Sequence, residues 1–547
     1  MAMFNCREAG MKTTRVDVLI VGAGISGIGA AYHLQQHCPD QSYAIIEARS
    51  AVGGTWDLFR YPGIRSDSDM FTFGFKFKPW VAPKAISPGE DIRRYVNEAA
   101  TENGIDKHIR FGRKVVAANW DSTSATWTAS VKDLATGEVE EVISRFFFSC
   151  GGYYNYEQGY SPEFKGRESF TGRVVHPQHW PADLDYAGKN IIVIGSGATA
   201  VTLVPTLART AARVTMLQRS PTYIVSRPEQ DALANKLRRY LPTRLAYALS
   251  RWKNILLGMY FYQAARRHPE RARAFITDGV KAALGPGYDV EKHFTPRYQP
   301  WDQRVCLIPD GDLFRAIREG SVVMVTDHID TFTPGGIRLR SGHELNADII
   351  VTATGLKAEI FSGMQLSVDD RVITPADSYT YKGMMLSGLP NFAFSMGYSN
   401  ASWTLKSDLV AENVCRLIKY MDRKAYDYCV PRVPDQGLEE ESIMALNSGY
   451  ILRARDQMPR QGTVRPWKLY QNYILDRFSL ACGPVADNCM NFGRRADRRS
   501  AAVIGPEVRA QGGSTGWPPS RFRPQGDPAS PGRGLKKPVP RRRRARF

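Results

Sequence analysis

The sequence predicts an α/β protein built from two βαβ units with parallel strands, the second inserted in the first. Three observations carry this. A G-x-G-x-x-G turn at Gly22, Gly24 and Gly27 lies between two short apolar runs. A second glycine turn, Gly195–Ala200, lies between two more. Apolar strands also end in glycine at Cys150–Gly152 and within Asp348–Gly355.

In the first unit, Val18–Val21 is too short and too apolar for anything but a buried strand. Small residues then recur through Ala30, Ala31 and Leu34, predicting a helix, and Tyr43–Ile46 is a second strand ending in Glu47. Each part suits a dinucleotide. Gly22 makes the tight turn, Gly24 lets backbone approach a pyrophosphate, and Gly27 lets helix pack on strand. Ser26 belongs to the same turn. The helix N-terminus offers free N–H groups to phosphate, and an acid about 20 residues on bonds a ribose hydroxyl, the role expected of Glu47.

After Glu47, Gly53-Gly54 allow close approach to a flat ligand, and Thr55, Trp56, Asp57 and Leu58 follow with polar and stacking groups. Arg60, Arg65, Ser66, Asp67 and Asp69 fill a Pro- and Gly-containing stretch that cannot be regular helix, the composition of a functional loop. Asp91–Asn103 reads as an amphipathic helix. His108–Trp120, Trp127–Val131 and Glu138–Phe148 alternate as strands of a meander, in which the strand around Val115 offers backbone to an adenine.

The second unit has Asn190–Ile194 as strand and the turn Gly195, Ser196, Gly197, Ala198, Thr199, Ala200, Val201 opening a helix through Leu207. Val214–Leu217 follows as strand. This strand ends in Gln218-Arg219-Ser220 and not in an acid. An acid would repel a 2′-phosphate, whereas Arg219 pairs with one and Ser220 donates to it, so the second nucleotide is expected to be NADPH. One unit ending in Glu47 and one in Arg219 imply two different dinucleotides, FAD and NADPH being the economical pair. Reduced flavin then has two open fates, transfer to a separate electron carrier or reaction with O2. Transfer to a disulfide would need paired cysteines, and the eight cysteines contain no C-x-x-C.

Bulk composition narrows the classes further. At 547 residues two or three domains are expected. No apolar run reaches the roughly 18 residues of a membrane span, and the N-terminus lacks the apolar core of a secretory signal. Cysteine usage suits a cytoplasmic protein with reduced thiols and argues against a metal site. The net charge of +19 is unevenly spread: Arg494–Phe547 holds 15 Lys/Arg against 3 Asp/Glu, leaving +7 for the rest. This Pro-rich stretch, ending RRRRARF, cannot bury a core and is read as a solvated, disordered tail, with no specific nucleic acid expected. Residues 228–297 are helical, Arg-rich and aromatic-bearing. Trp252, Ile255, Leu256, Met259 and Phe261 form a partial helical stripe that either packs on a domain or contacts an acidic membrane surface peripherally.

Between the glycine turns lies Phe170-x-Gly172-x3-His176-x3-Trp180-Pro181. With GGTWDLFRYPGIRSDSDM, SCGGYYNYEQGYSP, LQRSPTYIVS and SNASWTLKSDLV, it resembles the Baeyer–Villiger monooxygenases, class B flavoprotein monooxygenases, over roughly residues 14–480. The resemblance implies an enzyme using FAD, NADPH and O2 to insert oxygen beside a ketone carbonyl through a C4a-peroxyflavin, with oxygenation of sulfides and thioamides. Relatives that oxidise soft N and S atoms lack the Trp-Pro ending, and an N/S-oxygenase is the alternative. By resemblance, Arg304 is the active-site arginine and Asp67 the carboxylate positioning it, while His176 and Trp180 are hinge and domain contacts. Gln303 departs from the family, where Lys is a second 2′-phosphate contact; that weakens the preference for NADPH without removing it. The expected organisation is an FAD-binding part at 12–155, an NADP-binding part at 160–227, a helical insertion at 228–297, NADP-binding again at 298–357, FAD-binding at 358–493, and the tail at 494–547.

Overall fold

A computed structural model of the chain describes residues 12–443 and 447–495. Two sheets carry the two units, the larger mixed and the smaller parallel, with several two- and three-stranded sheets beside them. In the larger, Thr13–Val21 is flanked by Tyr43–Ile46 and Val139–Ser149, both parallel to it, with Val18 opposite Tyr43 on one side and Phe146 on the other. Arg113–Asp121, Thr126–Asp133 and Val139–Ser149 form the expected antiparallel meander. Gln365–Val368 and Phe392–Phe394 join this sheet from far along the chain. The smaller sheet runs Val322–Thr326, Arg213–Gln218, Asn190–Ile194, Ile349–Thr352, Arg173–Val175, parallel throughout. The second Rossmann-like unit therefore interrupts the first, as the two glycine turns require.

The strand cores follow from composition. Val18, Leu19 and Ile20 are fully buried, as are Ile192 and Val193, because parallel strands are covered on both faces. Ile25–His37 packs lengthwise on Trp403–Lys424, so the helix after the first glycine turn lies against one contributed late in the chain. That later helix begins at Trp403, preceded by Ser402 in extended conformation.

One sequence expectation changes at the C-terminal end. Met490–Gly493 forms a strand antiparallel to Tyr428–Pro431. Arg494, placed in the tail, donates to the carbonyls of Ala425 and Lys424, each at 3.0 Å. Arg495 pairs with Asp427 at 3.2 Å. Both arginines are thus anchored by a strand too short for periodicity to reveal. The remainder of the expected tail, residues 496–547, lies outside the described residues.

The Arg-rich insertion consists of Ala232–Tyr240, Thr243–Arg267, Pro269–Leu284 and Val290–Phe294. The longest of these helices is fastened to the first unit by a charged residue. Arg251, on its inner face, donates to the carbonyls of Phe71 (2.9 Å), Thr72 (3.1 Å) and Gly74 (2.7 Å). It also lies 3.7 Å from the Asp408 carboxylate.

Candidate active site

The first glycine turn is built so that backbone crowds it closely. Gly22 has φ +99°, and a Cβ there would lie 2.9 Å from the carbonyl oxygen of Cys150. A Cβ on Gly27 would collide with the carbonyl of Gly22. Gly24 and Gly54 face each other closely: a Cβ on Gly54 would sit 3.0 Å from the Gly24 Cα. The result is a cavity of about 260 Å³ walled by Gly22, Gly24, Glu47, Gly54, Val115 and Ser362, among others.

Glu47 is buried at one end of this cavity. Its carboxylate accepts from the backbone N–H of Ala23 (2.6 Å) and of Arg49 (2.8 Å). Burial raises its pKa above the usual carboxylate range, against these two amide bonds. Each carboxylate oxygen retains a further lone pair for a ribose hydroxyl. Pairing of the strand through Val115 slips between Val115 and Ala117, a bulge of the kind that exposes backbone at a rim. Glycine backbone at the turn, a carboxylate at the strand end and a bulged edge strand suit the phosphates, ribose and adenine of FAD. Glu47→Gln is expected to lower FAD retention about tenfold, since a charge-assisted bond becomes a neutral one. Flavin content after dialysis checks this.

The loop residues expected to touch FAD divide between roles. Thr55 lies 3.4 Å from the Tyr156 hydroxyl, and Trp56 meets Phe73 edge-on. The Asp57 carboxylate is taken up by Arg49 (2.7 Å) and Arg60, which folds the loop on itself. Ser66 accepts from the N–H of Ser87 at 3.0 Å. Leu58 and Arg65 reach the second unit: Leu58 enters its hydrophobic cluster, and Arg65 pairs with Asp312 at 2.5 Å. Ser26 is turned toward a different partner, accepting from Trp403 Nε1 at 2.7 Å.

At the second turn, Gly195 has φ +137°, and a Cβ there would collide with the carbonyl of Ala353. Gly197 and Ala198 are exposed, Ala200 and Val201 buried. Thr199 bonds the hydroxyl of Tyr61, so this turn also touches the first unit. Ser196 donates to the Ser220 carbonyl at 3.0 Å, tying the turn to the following strand end. There, Gln218 is spent on the His293 carbonyl (2.7 Å) and Thr326 (2.9 Å). Arg219 and Ser220 are exposed, and Arg219 has no ion-pair partner among the described residues. An unpaired guanidinium beside open amide groups is the donor set a 2′-phosphate needs.

Arg304 and Asp67, far apart in sequence, meet at 2.6 Å. The Asp67 carboxylate raises the Arg304 pKa further above its ordinary value, outweighing burial, so the guanidinium stays charged. It lines a small cavity with Tyr153, Trp403, Lys406 and Tyr450. Burial pushes the phenols of Tyr153 and Tyr450 well up, keeping them neutral. Trp403 stacks on Tyr153 with ring centres 5.4 Å apart, and its bond to Ser26 links this wall to the first glycine turn. The cavity measures about 20 Å³, room for about one water.

Sequence reasoning missed a second charged group here. Lys406 is buried and pairs with Asp476 at 2.9 Å, and Asp476 also accepts from the Tyr398 hydroxyl at 2.7 Å. A lysine in the middle of a helical pattern gives no sign of such a partner. Trp403, within the stretch SNASWTLKSDLV, lines the cavity. The His176 ring accepts from the Gln178 N–H at 3.2 Å, and burial lowers its pKa; Trp180 is half-buried against Tyr186. No group of three or more His, Cys, Asp or Glu side chains suited to a metal occurs among the described residues.

Known proteins match this chain over most of its length. A family model described as flavin-binding monooxygenase-like matches residues 82–258, and an NAD(P)-binding Rossmann-like domain matches residues 20–84. The FAD-containing monooxygenase EthA of Mycobacterium tuberculosis is 53% identical over 484 residues, 88% of this chain and 99% of that protein. The probable FAD-binding monooxygenase AlmA of Acinetobacter baylyi is 47% identical over 484 residues, covering 88% and 97%. Among solved structures, an oxidized steroid monooxygenase bound to NADP aligns with a TM-score of 0.70 at 22% identity, over 88% of this chain and 100% of that one. A cyclohexanone monooxygenase aligns at 0.68 and 18% identity, with the same coverage. These structures share the fold.

Proposed function

The chain belongs to the FAD-containing monooxygenases, and from that premise we propose that it is an NADPH-dependent Baeyer–Villiger enzyme, converting ketones to esters or lactones and also oxygenating sulfides and thioamides. The observation that carries this reading is the Arg304–Asp67 pair on the wall of the cavity. Flavin, when bound and reduced, supplies activation of O2; NADPH supplies the electrons.

The chain's own residues have separable tasks. Gly22, Gly24 and Gly54 admit the flavin nucleotide, and Glu47 fixes its ribose. Arg219 and Ser220 hold the 2′-phosphate of NADPH. Arg304 stabilises negative charge on the oxygen delivered to a carbonyl, and Asp67 fixes the guanidinium plane. Tyr153, Trp403 and Tyr450 wall the side of the cavity that Arg304 faces.

Assay of phenylacetone or 2-octanone against a thioether, following NADPH consumption and product together, tests the reading. Ester formed in step with NADPH supports it. Sulfoxide with no ester from either ketone replaces it with an N/S-oxygenase. Arg219→Ala is expected to raise the KM for NADPH roughly 10- to 100-fold, the worth of a charge-assisted bond, and to leave that for NADH nearly unchanged. Paired steady-state kinetics with the two coenzymes check this.

A further inference from the structure

The stripe of apolar residues in the insertion helix Thr243–Arg267 points the wrong way for domain packing. Leu245, Leu249, Trp252, Leu256 and Tyr260 recur at spacings of three and four and so share one helix face. Every one of them is between 40% and 67% exposed. The opposite face, carrying Ala246, Tyr247, Ser250, Arg251 and Ile255, is the buried one. A helix that packed by the usual rule would bury the leucines and leave the arginine in water. Here Arg251 is fastened inward to three carbonyls and the leucines are outside. Of Trp252, Ile255, Leu256, Met259 and Phe261, Ile255 is buried and Met259 partly so against the core, while the other three are exposed, so packing accounts for only part of that spacing.

Charge around this face is one-sided. Between Ala232 and Leu284 the sequence holds 11 Lys/Arg and 2 Asp/Glu. Lys236, Arg239, Arg244, Arg267 and Arg271 are exposed, and none makes an ion pair among the described residues. No described helix is long and apolar enough to cross a membrane. A helix with leucine and aromatic side chains outward, flanked by free arginines, instead suits the boundary between headgroups and acyl chains. We propose that this face of the Thr243–Arg267 helix lies on an anionic lipid bilayer surface, holding the enzyme where apolar substrates partition.

Full-length, FAD-loaded protein is mixed with vesicles of phosphatidylcholine containing phosphatidylglycerol, and with phosphatidylcholine alone, and the sedimenting fraction is measured. Binding is expected to the anionic vesicles, to weaken with salt, and to fall about tenfold in Leu249→Ser/Leu256→Ser and likewise in Arg244→Glu/Arg267→Glu. Both variants are expected to keep NADPH oxidation, because none of these residues touches the cavities. Unchanged vesicle binding by the leucine variant would overturn the proposal and assign adsorption to another basic segment, such as the arginine-rich C-terminus. So would absence of binding by the parent protein. Sedimentation velocity without lipid is the third reading: a dimer that the leucine variant converts to monomer would overturn the proposal in favour of a second copy.

Discussion

Replacing Arg304 by alanine is expected to leave flavin reduction by NADPH nearly intact and to lower ester formation at least about 100-fold, with NADPH consumption diverted to hydrogen peroxide. Loss of a single donor that stabilises developing oxyanion charge costs roughly 100- to 1000-fold in other active sites. The question is whether another cation in the cavity could substitute. Among the described residues that line it, Lys406 is the only other cation, and its side chain is 2% exposed against 34% for Arg304. Its three N–H groups face Asp476 at 2.9 Å and the Lys382 carbonyl at 3.4 Å, leaving little to offer. Arg304 gives Asp67 one edge of a five-donor fork and keeps the rest for oxygen. Arg304→Lys is expected to restore only part of the ester yield, since an ammonium keeps the charge but not the fork. Rapid mixing that separates flavin bleaching from product formation checks both variants.

Arg251→Met is expected to destabilise the protein by roughly 3–5 kcal/mol, the cost of stranding one partner of a buried charged pair. The carbonyls of Phe71, Thr72 and Gly74 would lose their shared donor, and Asp408 would lose its nearby guanidinium. Methionine matches the stem of arginine but supplies no donor. These carbonyls belong to the segment just after Asp67, so loosening them reaches the residue that positions Arg304. A fall of several degrees in the thermal midpoint, with earlier flavin release, is the expected result. An unchanged midpoint would mean that water replaces the guanidinium at no cost.

The two nucleotide units were legible because their signals are local. A glycine at Gly22 or Gly195 is demanded by a positive φ and a neighbouring carbonyl, and the flanking apolar runs fix the strands. Arg219 was legible for the same reason: the last residues of a strand occupy a known place relative to the turn. The approach of Arg304 to Asp67 was available only through resemblance to a family, because it depends on how two distant loops fold together. Lys406, Asp476 and Tyr398 gave no signal at all, since a buried ion pair between two helices far apart in sequence leaves no periodicity. Apolar spacing in Thr243–Arg267 did reveal a face. Which way that face points is decided by Arg251 and its three carbonyls, contacts that helical periodicity does not contain.

The claim on which the rest depends is that oxygen from O2 is held beside Arg304 until a carbonyl receives it. Turnover of phenylacetone under ¹⁸O₂ with NADPH, followed by mass analysis of the ester, measures this directly. Benzyl acetate carrying one labelled atom, formed in step with NADPH oxidation and lost in Arg304→Ala, is the predicted result. NADPH oxidation that yields only hydrogen peroxide, or ester formation undiminished in Arg304→Ala, would contradict it.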